Sequence, residues 1–253
     1  MSIHLLPAVA MMLGWGLRGF IGGGPFGAMI PGAMVLLAIA LREPRRDLHR
    51  LAAFAAIGVG FGGEMTYGQT VGFSVAAETF WWGVLGLALK GAVWGALAGA
   101  VIALGLRAER RLVAWVAAAM IVATEVGWKL INEPKLIYFS NPWDRPRPEI
   151  WAGFALAALV AMLLQPAEPV RRFVLAGLIG GGIGFGTGGA IQGLGRIFLP
   201  DVKWIHWWKY MEFTFGFCFG WALSWAFANS AVPTGSRETA RPAAWVEALA
   251  AMA

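Results

Sequence analysis

The sequence predicts an all-α protein: a polytopic membrane helical bundle of about eight transmembrane helices, arranged as two parallel four-helix repeats. Three observations lead there. The 253-residue chain is 58% hydrophobic and only 13% charged, against about 25% charged residues in a typical soluble domain. Long apolar stretches recur along its whole length. Short motifs of the first half reappear in the same order in the second.

The segments read as approximately 3–18, 25–41, 51–72, 80–106, 112–130, 149–165, 172–190 and 205–228. A helix needs about 20 residues to cross a bilayer, so the first and sixth are short. The N-terminal MSIHLLPAVAMMLGWG lacks a positive leader region and reads as a first membrane segment rather than a cleaved signal.

Loop charges set the orientation. Arg42, Arg45, Arg46 and Arg50 share one loop, Arg107, Arg110 and Arg111 a second, and Arg171 and Arg172 a third, while the tail adds Arg237 and Arg241. With eight segments all four lie on one side, which the positive-inside rule makes cytoplasmic, both termini included. The opposite loops are rich in Gly, Trp and mixed charge. Tryptophan is lopsided: Trp15, Trp81, Trp82, Trp128, Trp143, Trp151, Trp204, Trp207 and Trp208 fall near the outer face, and only Trp115, Trp225 and Trp245 clearly near the inner one. The net charge of +6 reflects loop cations, and no nucleic-acid partner is expected. High Ala, Gly and Arg content suggests a bacterial plasma membrane.

The repeat motifs are short but ordered. Gly14, Trp15 and Leu17 recur as Gly127, Trp128 and Leu130, and Gly58, Gly60 and Gly62 as Gly182, Gly184 and Gly186, each run followed by a glutamine, Gln69 or Gln192. Trp81-Trp82 recurs as Trp207-Trp208, then Gly91 and Gly95 as Gly216 and Gly220. The expected division is 1–106 for the first unit, 107–228 for the second and 229–253 for a cytoplasmic tail. Four helices per unit make the repeats parallel, about an axis along the membrane normal. Glycines at four-residue spacing let backbones approach closely in lipid, so the fourth and eighth segments should be central and pack on each other.

Lys90 lies within the apolar run WWGVLGLALKGAVWGALAGAVIALGL. It sits about 15 Å below the outer end of its helix, where an unpaired charge costs at least about 2.5–3.5 kcal/mol. Glu125 and Glu212 are the expected partners. Arg18, Glu64, Tyr67, Gln69, Lys90, Glu125, Lys129, Gln192, Arg196, Lys209 and Glu212 together could line an outward-facing polar vestibule that binds substrate and ends at Lys90.

Three functions compete. A transporter or channel-like protein for a small polar organic solute, a sugar or an organic anion, fits the duplicated units, the buried charges and the glycine-interrupted helices. A structural or assembly subunit would use the outer loops 129–149 and 191–207 to meet a membrane partner or a second copy, with Lys90 fully paired. An enzyme acting on a lipid-linked substrate at the outer leaflet would use paired carboxylates as acid and base. The last lacks any Gly-x-Ser-x-Gly, His-Glu-x-x-His or Cys/His arrangement. One cysteine, Cys218, and three scattered histidines, His4, His49 and His206, leave no disulfide and call for no metal or other cofactor.

Overall fold

A computed structural model of the protein describes residues 3–41, 48–107, 109–140, 149–165 and 167–230. The expected tail beyond 230, three arginines of the first basic loop (Arg42, Arg45 and Arg46) and most of the Pro-rich outer segment (141–148) lie outside the described residues. The described secondary structure is all helical: α1 (Leu5–Ile21), α2 (Gly24–Ala40), α3 (Leu48–Gly62), the short α4 (Gly68–Ser74), α5 (Phe80–Gly105), α6 (Arg110–Gly127), α7 (Trp151–Leu164), α8 (Glu168–Phe198) and α9 (Trp207–Asn229). A π-turn over Trp128–Asn132 extends α6.

Each expected segment coincides with a long helix, with two corrections. The third, expected to run unbroken over 51–72, stops at Gly62 and resumes as α4. Three consecutive i→i+3 bonds tighten its end, from Gly63, Glu64 and Met65 N–H to the carbonyls of Gly60, Phe61 and Gly62. A Cβ at Gly62 would lie 1.9 Å from the Trp94 ring, so only glycine lets that indole cross the helix end. The seventh runs eight residues past its expected end at 190, to Phe198, so the outer loop expected over 191–207 begins only at Leu199. By length and apolar character three helical stretches suffice to cross a membrane: Ala77–Gly105, Arg110–Asn132 and Glu168–Phe198. The apolar α1, α2 and α7 are shorter.

Among the described residues, six helices close a ring by neighbour contacts: α1–α2–α3–α5–α8–α9 and back to α1. The α6–α7 pair lies outside it and joins through α7 against α5. Close approaches show that ring neighbours run antiparallel. On α5 and α8, added Cβ atoms at Gly91, Gly95 and Gly99 would fall 2.3, 1.8 and 2.2 Å from the carbonyl oxygens of Gly181, Gly177 and Phe173. On α9, Gly216 and Gly220 meet the backbones of Met12 and Ala8 in the same opposed register. The glycine seam of α5 therefore mates with α8, not with α9 as the four-residue spacing suggested. The ring sets α8 between them: the fourth and eighth segments run parallel and each packs antiparallel against α8. Partners also differ between the halves. α5 lies along α8, and no comparable contact joins the corresponding α9 and α3.

The alternation gathers the ends that flank the basic loops at one end of the bundle. Arg107 Nε donates to Gln165 Oε1 at 3.3 Å, and His4 Nδ1 lies 3.1 Å from Ser224 Oγ.

Candidate functional site

The ring interior is filled by aromatic side chains. Trp15 and Trp94 meet edge to face at 5.1 Å, Trp15 and Phe215 at 4.7 Å, and Phe185 stacks on Phe215 at 4.7 Å. Tyr67, from the α3–α4 break, touches Trp94, Phe185 and Trp208 at 6.1, 5.4 and 6.1 Å. Trp94 Nε1 donates to the Val59 carbonyl at 2.7 Å. Such ring pairs add about 0.5–1.5 kcal/mol each beyond their buried area.

Two buried charge clusters flank this plug, and the 63–67 break links them. Lys90 is 1% exposed. Its ammonium donates to Glu149 Oε1 at 2.8 Å, to Thr70 Oγ1 at 2.9 Å and to the Thr66 carbonyl. The Glu149 carboxylate also accepts from Phe139 N–H (3.1 Å), Ser140 Oγ (2.9 Å) and Trp151 Nε1 (3.2 Å). Thr70 Oγ1 in turn donates to the Phe139 carbonyl. Every donor of Lys90 is used. In the adjoining loop, burial first and the Glu149 charge second push the Tyr138 phenol above its ordinary range.

The expected partners of Lys90 are thereby corrected. Glu125 is exposed on α6, and Glu212 belongs to the second cluster. α6 turns Met120, Ala123 and Gly127 inward, and Glu125 follows Ala123 by about 200° around the helix.

The second cluster joins α1 to α9. Arg18 Nε lies 3.5 Å from Glu212 Oε1, an ion pair without hydrogen-bond geometry. Lys209 Nζ donates to Glu212 Oε2 at 2.7 Å and to the Gly16 carbonyl at 3.0 Å. The Arg18 guanidinium sits 4.7 Å from the Trp15 ring centroid and 5.6 Å from that of Tyr67, which favours a cation by ring electrostatics. Arg18 and Glu212 are 6% and 5% exposed. Among the described residues two cations face one carboxylate here, leaving one positive charge over.

Among the described residues, Trp15 Nε1 and Arg18 Nε in this cluster and Gln192 Oε1 on α8 are buried without a hydrogen-bond partner. Gln192 lies one turn beyond Gly188, whose backbone abuts Met211. Buried polar groups are normally satisfied, and orphans of this kind mark functional positions or ordered solvent.

Of the expected vestibule residues, the structure brings together Arg18, Tyr67, Lys209 and Glu212. Gln192 is buried on α8, and Lys90 lies in its own saturated cluster. Glu64 and Arg196 are exposed, and Gln69 is half-buried. Lys129 is exposed and paired with Glu133 at 3.0 Å. Sequence reasoning missed Glu149, Thr70 and Trp94. Glu149 stands directly before the apolar run IWAGFALAALVAMLL, and a carboxylate at that boundary was the available signal.

No family model, curated protein or solved structure matches this chain significantly. The functional reading therefore rests on the site itself.

Proposed function

We propose that the protein is an integral membrane protein that binds and carries a small organic anion, or a sugar bearing an anionic group, at the Arg18–Tyr67–Glu212 cluster. One observation carries this reading. Arg18 and Glu212 are buried, the described residues of the cluster hold one surplus positive charge, and aromatic faces and unpartnered polar atoms border it. An anionic solute would balance the charge, its body would rest on Tyr67 and Trp208, and Gln192 would take a hydroxyl or amide. Broken helices beside a buried site are a recurring transporter device, and the α3–α4 break supplies one.

The membrane setting is supported by the three long apolar helices and by the outward face of α6, where Trp115, Ile121, Val122 and Leu130 stand 63–76% exposed. An exposed apolar face of this kind marks contact with lipid or with another protein, and in this reading lipid covers it. In this reading the eight helices other than α4, the shorter ones included, cross the bilayer, the basic end faces the cytoplasm, and the two four-helix halves descend from one unit.

The test is thermal stability of the purified protein against sugars, organic anions and amino acids, followed by uptake into liposomes. A bound solute raises Tm by mass action. The expected result is a shift with one anionic class that disappears in Arg18→Gln. No shift with any solute, or a shift that Arg18→Gln leaves intact, would sink the proposal.

A second reading, a structural subunit of a larger membrane complex, is favoured by one observation: Lys90 is fully paired rather than open to a solute. It predicts that no soluble compound moves Tm and that the protein co-purifies with a membrane partner.

A further inference from the structure

At the basic end of the bundle, α8 and α9 line a groove of about 660 Å³. It is lined by Arg171 and Arg172, by Trp221 and Trp225, and, further along α8, by Leu175 and Ile179. Leu175 and Ile179 are 47% and 55% exposed and stand one turn apart, directly inward of the arginines. Arg172 pairs with Glu168 and lies 5.9 Å over the Trp225 ring. The Arg171 side chain has no partner among the described residues. Two cations thus meet one carboxylate at the mouth of an apolar slot framed by indoles.

We propose that this groove holds one anionic phospholipid of the leaflet at the basic end, its phosphate on Arg171 and Arg172 and one acyl chain along Leu175 and Ile179. The inference rests on the membrane reading but not on any solute. Each element has a separate physical reason. Arginine forks match phosphate oxygens in bidentate fashion. Basic clusters at the cytoplasmic end of a membrane helix select anionic headgroups. Tryptophans settle at headgroup depth. The exposed aliphatic pair supplies a wall that a soluble anion has no use for.

The test is native mass spectrometry and thermal stability of the detergent-purified full chain. The probes are phosphatidylglycerol, phosphatidylcholine with identical acyl chains, and inorganic phosphate. The expected result is retention of one phosphatidylglycerol and a Tm rise well above that given by phosphatidylcholine. The double variant Arg171→Gln/Arg172→Gln should weaken phosphatidylglycerol binding by about tenfold or more without lowering the lipid-free Tm. Leu175→Trp, on an exposed position, should block the slot and weaken binding with both charges intact. Equal stabilisation by the two lipids, an equal effect of inorganic phosphate, a double variant that keeps its preference, or a groove occupied by a second copy of the chain would each overturn the proposal. Because the readout is lipid retention, failure of solute binding leaves it standing, and the reverse also holds.

Discussion

Lys90 and Arg18 are both buried cations, yet their removal should have unequal effects. In Lys90→Met the Glu149 carboxylate loses its only ion-pair partner among the described residues, at 0% side-chain exposure. Such a loss typically costs about 3–5 kcal/mol, and the melting temperature in detergent should fall accordingly. In Arg18→Gln, Glu212 keeps Lys209 at 2.7 Å, so the destabilisation should be less than half as large. Measuring both variants side by side checks the contrast. Equal losses would mean that Lys209 does not compensate Glu212. The sequence made Lys90 conspicuous because one charge stands in a long apolar run. It could not name the partner, because Glu149 is 59 residues away, across a Pro-rich segment whose path no periodicity describes. Glu125 misled by depth alone, since its helical phase turns it away from the bundle. Arg18 and Glu212 were legible as buried charges, and their pairing follows only once α9 is known to return to α1.

Among the helices, the seam between α5 and α8 is the least forgiving. Gly95 and Gly177 each block the other's Cβ, with carbonyl oxygens 1.8 and 2.0 Å from the added atom. No rotamer change relieves a clash with backbone, so Gly95→Val should force the helices apart. We expect little folded protein by size-exclusion chromatography, whereas Gly68→Ala, where nothing lies within 4 Å, should leave yield unchanged. Glycine spacing made the existence of such a seam readable on α5. The partner was misassigned because spacing carries no direction, and antiparallel alternation is a property of the assembled ring. The α3–α4 break was likewise hidden. Its residues, GGEMTYG, read as the polar end of a span, and the reason for the interruption lies on another helix, in the indole of Trp94.

For the molecule as a whole, the all-helical class was legible because apolar length is written locally, and closure was not, because it depends on distant surfaces. The alternating ring makes one topological prediction. With Cys218→Ala as background, Glu64→Cys should react with a membrane-impermeant maleimide from outside intact cells. Glu109→Cys should react only after permeabilisation. Both side chains are exposed, so reactivity reports sidedness and not burial. The reverse pattern would move the Arg18 cluster to the cytoplasmic half.

The ring has one further consequence, for biosynthesis. α1 is synthesised well before α9, its neighbour in the finished ring. If the helices cross a bilayer as proposed, then until residues 207–229 are inserted Arg18 has neither Glu212 beside it nor α9 to cover it, and a lone arginine is left against lipid. In that reading a nascent chain is conspicuous to membrane quality control until α9 arrives. A chain truncated before α9 should be degraded quickly in cells, and Arg18→Leu in that truncated chain should lengthen its lifetime.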